Sequence, residues 1–319
     1  MEISVVIPFF ESEATLAECL AALSSQTLAK ARYEIIAVDD GSTDGGAEIA
    51  KRAGVRLLQQ PNRGAPAARN AGIAAAEGKW VAFTDADCIP SRGWLRALLA
   101  AVENAGEEVF GAAGPIVGHP SNASAARFVE ISGGLDAAWH LQHPRFPFAP
   151  SGNVMYRRDA LDAVGGFDER YASYDACDLH RRLMLEVGGK FAFAESAVVL
   201  HHHRVTWPDY WTQQVNYGRG LAQFYVRWRD EIRWSPWREA AAWAALAPAA
   251  VSACRPGGAN GADASLARRG TFVKRLAQRI GFATTYFRPT ERARWRPGLH
   301  RADVPRPDAR RPHARHATQ

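Results

Sequence analysis

The first hundred residues alternate short apolar runs with helical patterns. The apolar runs lie at residues 3–10, 34–38, 55–59 and 80–83 and have the β-branched and aromatic character of buried strands. Leucines or alanines recur at helical spacing at residues 16–23, 65–76 and 94–102. Strands that alternate with helices form a mainly parallel sheet with helices on both faces. The sequence therefore predicts a three-layer α/β/α sandwich.

Acidic residues stand where two of these strands end. Asp39 and Asp40 close the second run, and Asp85 and Asp87 close the fourth. Parallel strands end at one edge of a sheet, which is where α/β proteins bind ligands. Two carboxylates one residue apart suit Mg²⁺ or Mn²⁺ bound to phosphate, although Asp85 capping the next helix is the alternative. Because residues 9–12 form no glycine-rich phosphate loop, we expect a metal to hold the phosphates of a diphosphate-linked donor.

Composition indicates a soluble globular chain. Of 319 residues, 47% are hydrophobic and 23% charged, and the four cysteines have no paired spacing. A reduced cytoplasmic compartment fits this pattern, and no signal peptide is expected. The longest apolar run, residues 240–254, contains Pro248 and falls short of the roughly 20 residues that span a bilayer. We therefore expect no transmembrane helix.

The C-terminal part of the chain is basic. Residues 255–319 contain 15 Arg and Lys against 4 Asp and Glu, and six of the ten tryptophans lie between residues 207 and 243. A basic amphipathic helix is predicted at residues 266–287, with its apolar face formed by Phe272, Val273, Leu276, Ile280, Ala283 and Phe287. We expect residues 207–287 to attach to an anionic membrane surface, the alternative being a helix packed on the protein body. Residues 288–319 are predicted to be disordered, and no nucleic-acid partner is expected.

Six motifs in order resemble the inverting glycosyltransferases of family 2, which have the GT-A fold. They are SVVIPFFESE, VDDGSTD, NRGAPAARNAGI, TDAD, VGGFDE and LHHHR, and they cover roughly residues 2–225. The resemblance implies a GT-A domain at residues 1–230, with a nucleotide-sugar half (1–115) and an acceptor half (116–230). A helical extension (231–287) and the basic tail (288–319) follow it.

The resemblance also implies roles for individual residues. The donor-binding residues are Pro8, Glu11, Asp40, Arg69 and Asp85, with Asp40 near the edge of the base and Arg69 nearby. The ligands of a divalent ion, Mn²⁺ or Mg²⁺, are Asp85, Asp87 and one of His201 and His203, a histidine that could instead contact the pyrophosphate.

The general base is the point at which the sequence departs from the family. The family commonly has Glu-Asp-x-Asp-Leu here, whereas this chain has Asp175-Ala176-Cys177-Asp178-Leu179, so that Ala176 occupies the usual base position. Asp175 is the nearest carboxylate that could take the proton of an acceptor hydroxyl. If Asp175 only caps the helix, Asp178 or a different group must act.

The function that the resemblance implies is transfer of a sugar from a nucleoside diphosphate sugar, expected to be a UDP-sugar, to an acceptor hydroxyl. The expected context is bacterial glycan or glycoconjugate synthesis in the cytoplasm, on the inner face of the membrane. The acceptor, whether a glycan, a lipid-linked glycan or a small molecule, is not identified. Two rivals remain: a nucleotide-sugar-binding or assembly protein that has lost its base, which Ala176 favours, and a sugar nucleotidyltransferase.

Overall fold

The computed structural model describes residues 1–143, 146–255 and 261–295. Its first part consists of four βα repeats. The strands are β1 (Ile3–Phe9), β2 (Tyr33–Asp39), β3 (Arg56–Gln59) and β4 (Trp80–Phe83), and the short strand β5 (Cys88–Pro90) follows β4. The helices are α1 (Glu13–Ser24), α2 (Gly46–Arg52), α3 (Ala65–Ala75) and α4 (Trp94–Ala105), with a 3₁₀ turn at Lys30–Arg32. Strands β1 to β4 are parallel, so the predicted repeats are confirmed.

The second part completes the sheets with less regular connections. It contains β6 (Val109–Ala113), β7 (Ile116–Gly118), α5 (Ser124–Ile131), α6 (Ala137–Leu141), β8 (Val154–Arg157), α7 (Arg158–Val164), α8 (Asp175–Arg182), β9 (Lys190–Phe193) and β10 (Val199–His201), with a π-helical turn at Leu183–Val187. The seven-stranded sheet has the order β3-β2-β1-β4-β8-β6-β9, in which β8 runs antiparallel to both neighbours. Strands β5, β10 and β7 form a second, three-stranded sheet.

The chain crosses between the two sheets at residues 113–116. It leaves the large sheet after Ala113 and enters the small one at Ile116. Gly114 and Pro115 explain the break, because proline has no N–H to donate and a side chain at Gly114 would collide with the backbone of Ala197. This crossing brings the small sheet next to the end of β4.

Helices cover both faces of the large sheet, which confirms the three-layer sandwich. Val5 and Ile7 of β1 pack in the layer of α1 and α4, and Val6 packs in the layer of α3, α7 and α8. A Cβ at Gly72 would clash with Val6, so the small residues of α3 let that helix lie close to the sheet. The close packing fixes α3, which carries Arg69, against the strand ends.

The C-terminal part packs on this body instead of forming a separate domain. Its helices are α9 (Trp207–Arg227), α10 (Pro236–Ala244), α11 (Leu246–Ala253), α12 (Gly261–Tyr286) and α13 (Pro289–Arg294). Trp228, Phe282 and Trp295 share one buried cluster with Tyr171 and Cys177 of the α/β body. Residues 289–294 of the tail that was predicted to be disordered form α13, and residues 296–319 lie outside the described part of the chain. Within that part, no helix is both long and apolar enough to cross a membrane.

The face of the predicted amphipathic helix is also corrected. The buried residues of α12 include Gly270, Ala277, Gly281 and Phe282, whereas Phe287 of the predicted apolar stripe is 56% exposed. A side chain at Gly281 would collide with the backbone of α9, so small residues let the two helices touch closely. Close backbone packing, not the hydrophobic stripe, decides how α12 is oriented.

Candidate functional site

The candidate site begins at the tight turn between β4 and β5. The Cys88 N–H donates to the carbonyl of Asp85 at 3.0 Å, and the turn leaves the side chains of Asp85 and Asp87 partly exposed. The two carboxylates have different neighbours. Asp85 Oδ1 accepts a hydrogen bond from Arg69 at 2.9 Å, and Asp87 Oδ1 lies 3.5 Å from His201 Nε2. The turn therefore connects Arg69, which contacts Asp85, with His201, which lies near Asp87.

Strand pairing brings His201 to Asp87. Strand β10 is antiparallel to β5, with His201 opposite Cys88, and the His202 N–H donates to the carbonyl of Asp87 at 2.8 Å. His201 Nδ1 and His203 Nδ1 are 3.0 Å apart, so one of them donates to the other. Burial, with the neighbouring histidines, lowers the pKa of His203 to about 4, which keeps that ring neutral. His201 thus faces the carboxylate while His203 orients it.

The donor set around Asp87 fits a hard divalent cation. Ligand atoms of Asp87, Cys88 and His201 all lie within 4.8 Å of one another. Burial and the charges of Asp85 and Asp87 raise the pKa of the Cys88 thiol well above its usual range, so it is not a thiolate ligand. Carboxylate and imidazole donors remain, which suit Mn²⁺ or Mg²⁺ better than a soft metal. Of the two predicted histidines, the geometry favours His201 as the ligand.

Gly152 leaves room beside these carboxylates. A Cβ at this position would lie 3.2 Å from Asp85 Oδ2 and 3.4 Å from Cys88 Sγ. The next residue, Asn153, is fully buried and accepts a hydrogen bond from Trp94 Nε1 at 2.7 Å. Its amide donates to the carbonyls of Pro115 and Ala197 at 2.8 and 2.7 Å. The hydrogen bonds of Asn153 therefore hold Gly152 against the site.

Arg69 connects the acidic turn to Asp175. Its guanidinium donates to Asp85 Oδ1 and to Asp175 Oδ2, both at 2.9 Å, and its centre lies 5.5 Å from the ring centroid of Phe167. The resemblance placed Arg69 near the nucleoside base. The structure shows it as a buried bridge between two carboxylates, Asp85 and Asp175, and its contact with a donor stays a prediction.

Asp175 is the first residue of α8 and is buried. It follows Tyr174, whose φ of 68° turns the chain sharply into the helix. Burial raises the pKa of the Asp175 carboxyl, and the positive charge of Arg69 partly opposes that rise. A carboxylate with a raised pKa is a better proton acceptor, and the role of Asp175 as general base stays a prediction.

Asp178 lies in a different environment, one turn further along α8. Its side chain is 0% exposed and accepts hydrogen bonds from Arg182 at 2.7 Å, Trp228 at 3.0 Å and Tyr171 at 3.2 Å. Arg227 Nε is 2.7 Å from its Oδ1. Both oxygens are occupied by interior groups, which argues against the alternative that Asp178 accepts a proton from a substrate.

Asp40 is committed to the loop that leads into α3. Its Oδ1 accepts from Gln60 Nε2 at 2.7 Å and from the Arg63 N–H at 2.9 Å, and its Oδ2 accepts from the Gly64 N–H at 2.7 Å. The residue is buried. Asp40 therefore fixes the shape of this loop. A nucleobase that binds near Asp40 would contact a surface that is already formed.

Pro8 and Glu11 lie at the end of β1, next to Asp40. Pro8 is buried opposite Val38 of β2. Glu11 has a left-handed backbone, with φ of 49°, and its Oε1 accepts from the Thr43 N–H at 2.8 Å and the Thr43 hydroxyl at 3.0 Å. These bonds hold a conformation that costs a non-glycine residue about 1 kcal/mol. The predicted nucleoside residues thus share one edge of the sheet.

Tyr217 of α9 is a group that the sequence did not connect with the acidic turn. Burial and the charges of Asp85 and Asp87 raise the pKa of its hydroxyl to about 12. The residue belongs to a segment that the sequence assigned to membrane attachment, and no local motif marks it. The fold therefore brings Tyr217 within electrostatic range of the acidic turn.

Comparisons with known proteins show the family and the fold of the chain. The model of "Glycosyl transferase family 2" matches residues 4–165. Glycosyltransferase AglE of Haloferax volcanii is 27% identical over 238 residues, which cover 72% of this chain and 76% of that protein. The pre-mycofactocin glycosyltransferase of Mycobacterium tuberculosis is 30% identical over 239 residues, covering 72% of this chain but 49% of its own length. The chain thus spans about half of the latter relative.

Two solved structures are similar over nearly the whole chain. Mannosyltransferase PcManGT from Pyrobaculum calidifontis, in complex with GDP-Man and Mn²⁺, superposes with a TM-score of 0.60 at 21% identity, covering 89% of this chain and 86% of that one. S. aureus TarS 1–349 in complex with UDP has a TM-score of 0.52 at 19% identity, with 90% of each chain covered. At these identities the likeness shows a shared fold.

Proposed function

Because the chain belongs to glycosyl transferase family 2, we propose that it moves a sugar from a nucleoside diphosphate sugar to an acceptor hydroxyl with inversion at the anomeric carbon. It is a glycosyltransferase with the GT-A fold. The observation that carries the proposed reaction is the bridge formed by Arg69, because it places a potential base, Asp175, beside the acidic turn of Asp85 and Asp87. The family match also removes the basis for the nucleotidyltransferase alternative.

In the proposed mechanism, Asp175 accepts the proton of the acceptor hydroxyl. The hydroxyl oxygen forms a bond to the anomeric carbon as the bond from that carbon to the diphosphate breaks, and the nucleoside diphosphate leaves. Asp87, His201 and Asp85 would hold a divalent cation, which supplies positive charge to the diphosphate when bound. Arg69 holds the carboxylates of Asp85 and Asp175 at a fixed separation. Pro8, Glu11 and Asp40 shape the part of the site that would bind the nucleoside.

We propose a UDP-sugar as donor, Mn²⁺ or Mg²⁺ as cofactor, and bacterial glycan or glycoconjugate synthesis as context. The support for the donor is the family resemblance, together with the similar fold of TarS, which was solved with UDP and with UDP-GlcNAc. PcManGT was solved with GDP-Man and Mn²⁺, so GDP is the nucleotide to test beside UDP. We further propose that the C-terminal part holds the enzyme at the cytoplasmic face of an anionic membrane.

The donor site is tested by nucleotide-dependent thermal stability. We expect one of UDP, GDP, dTDP and CMP to raise the melting temperature only when Mn²⁺ or Mg²⁺ is present, and Asp87→Asn to abolish that rise. A ligand at 100 times its Kd stabilises by about 2.7 kcal/mol, which is easily measured. Asp162→Asn, which removes an exposed carboxylate on α7, is the matched control and should keep the full shift. A metal-independent shift, or one that survives in Asp87→Asn, would contradict the assignment.

The role of Arg69 is tested by the pH dependence of transfer. Its charge opposes the burial-driven rise of the Asp175 pKa, so Arg69→Gln should raise that pKa further. The base acts deprotonated, and the acidic limb of the kcat profile should therefore move to higher pH in this variant. Arg52→Gln, at an exposed arginine of α2, should leave the limb unchanged. If the acidic limb stays at the same pH in Arg69→Gln, Arg69 does not influence the pKa of the base.

The rival reading is a protein that binds nucleotide sugars without transferring them, which Ala176 at the usual base position favours. It predicts the same metal-dependent thermal shift but neither transfer nor donor hydrolysis. Turnover of a radiolabelled nucleotide sugar distinguishes the two functions.

A further inference from the structure

Helices α10 and α11 turn an apolar surface toward solvent. Trp237 is 83% exposed, Val251 62% and Trp243 38%. Between and beside them, the exposed residues recur at helical spacing and are small and apolar: Ala240, Ala241, Ala244, Ala247 and Pro248. Residues 240–254 contain no charged side chain. We call residues 236–253 the apolar segment.

Polar contacts attach this segment to the protein. Glu239 is buried, and its carboxylate accepts from Arg279 of α12 at 2.7 Å. At the other end, Arg268 Nε donates to the carbonyl of Ser252 at 3.1 Å and Arg269 Nε to that of Ala253 at 3.4 Å. Leu246 is the one apolar residue of the segment that is buried. The segment thus turns polar groups inward and apolar groups outward, the reverse of a helix packed for the stability of its own core.

Basic side chains stand at both ends of the apolar surface. Arg238 follows Trp237 directly, and Arg255, Arg268 and Arg269 lie beside the end of α11, where two of them also neutralise its negative dipole end. Tryptophan prefers the boundary between hydrocarbon and water, and arginine pairs with lipid phosphate. A second copy of the chain fits this surface less well than anionic lipid, because it would bring only further arginines to these ends.

From this arrangement we infer that the apolar segment lies in the interface of an anionic phospholipid bilayer, parallel to its surface. The inference rests on the membrane attachment proposed above and narrows it to one segment. The sequence assigned attachment to residues 207–287, but the buried face of α12 packs on α9, whereas α10 and α11 leave their apolar side uncovered within the described chain. Pro248 cannot donate to the carbonyl of Ala244, which explains why the helix breaks at Ala245.

Vesicle co-sedimentation of the full chain tests this inference. Wild-type protein should bind vesicles of phosphatidylcholine with phosphatidylglycerol, and less well those of phosphatidylcholine alone or at high salt. The double variant Trp237→Ser, Trp243→Ser should lower the partition coefficient about tenfold or more, because two aromatic side chains no longer enter the interface. Leu185→Ser removes an equally exposed apolar side chain elsewhere and should bind like wild type.

The outcomes are distinguishable from failure of the donor site. The metal-dependent nucleotide shift is measured on every variant, and it should be the same in the double variant and in wild type. Vesicle binding without any nucleotide shift would support docking and contradict the donor proposal. Equal vesicle binding by wild type and the double variant, or no binding by wild type, would overturn the inference. So would a wild-type dimer that the double variant loses while neither binds vesicles, because the surface would then join two copies of the chain.

Discussion

Asp175→Asn is expected to lower kcat for sugar transfer by about 10²–10⁴-fold, the usual contribution of a positioned general base. Asparagine has the size of aspartate and keeps an oxygen for Arg69, which donates to Asp175 at 2.9 Å. It cannot take a proton from the acceptor hydroxyl. The loss should therefore fall on kcat, and the metal-dependent nucleotide shift should remain. Turnover of a nucleotide sugar and thermal stability, measured on the same preparation, check both parts.

Asp162→Asn is the control for this variant, because it makes the same change at an exposed position of α7. Normal turnover by Asp175→Asn would assign the base to another group. Loss of the nucleotide shift together with turnover would mean that Asp175 contributes to donor binding instead. A wild-type acidic limb above the ordinary aspartate pKa of about 3.9 would agree with the raised pKa that burial gives Asp175.

Local patterns were sufficient to predict the first half of the fold. Strands β1 to β4 are short, apolar and separated by helical patterns, and their parallel ends necessarily meet at one edge. The acidic turn of Asp85 and Asp87 could be placed there from the sequence. The choice between His201 and His203 could not, because it depends on the pairing of β10 with β5, more than a hundred residues apart.

The features that the sequence did not predict depend on packing between distant elements. Asp175 and Asp178 are three residues apart on one helix. Their spacing does not predict which of them contacts Arg69 beside the acidic turn. Residues of α9 and the turn after it decide, since Arg227 and Trp228 enclose Asp178. Likewise the apolar stripe of α12 predicted the wrong face, because glycines that allow close contact with α9 outweigh the larger side chains.

The same enclosure should make the loss of Asp178 strongly destabilising. Asp178→Ala would leave Arg182 and Arg227 buried without their shared carboxylate, and Trp228 Nε1 without its acceptor. Removing one partner of a buried ion pair typically costs about 3–5 kcal/mol, because the remaining charge is not solvated. For a domain of this size we expect the melting temperature to fall by about 10 °C. Differential scanning calorimetry measures the change.

Asp178→Ala and Asp175→Asn lie on the same helix but should affect different properties. The first should lower stability, and the second should lower kcat. The fraction of Asp178→Ala that stays folded should retain its metal-dependent nucleotide shift and transfer activity, because the Asp178 side chain is fully buried and its oxygens contact interior groups. Activity per folded molecule, at a temperature well below the lowered transition, separates the two effects. A variant with wild-type stability and no turnover would return Asp178 to the role of base, since only direct participation in the reaction explains that combination.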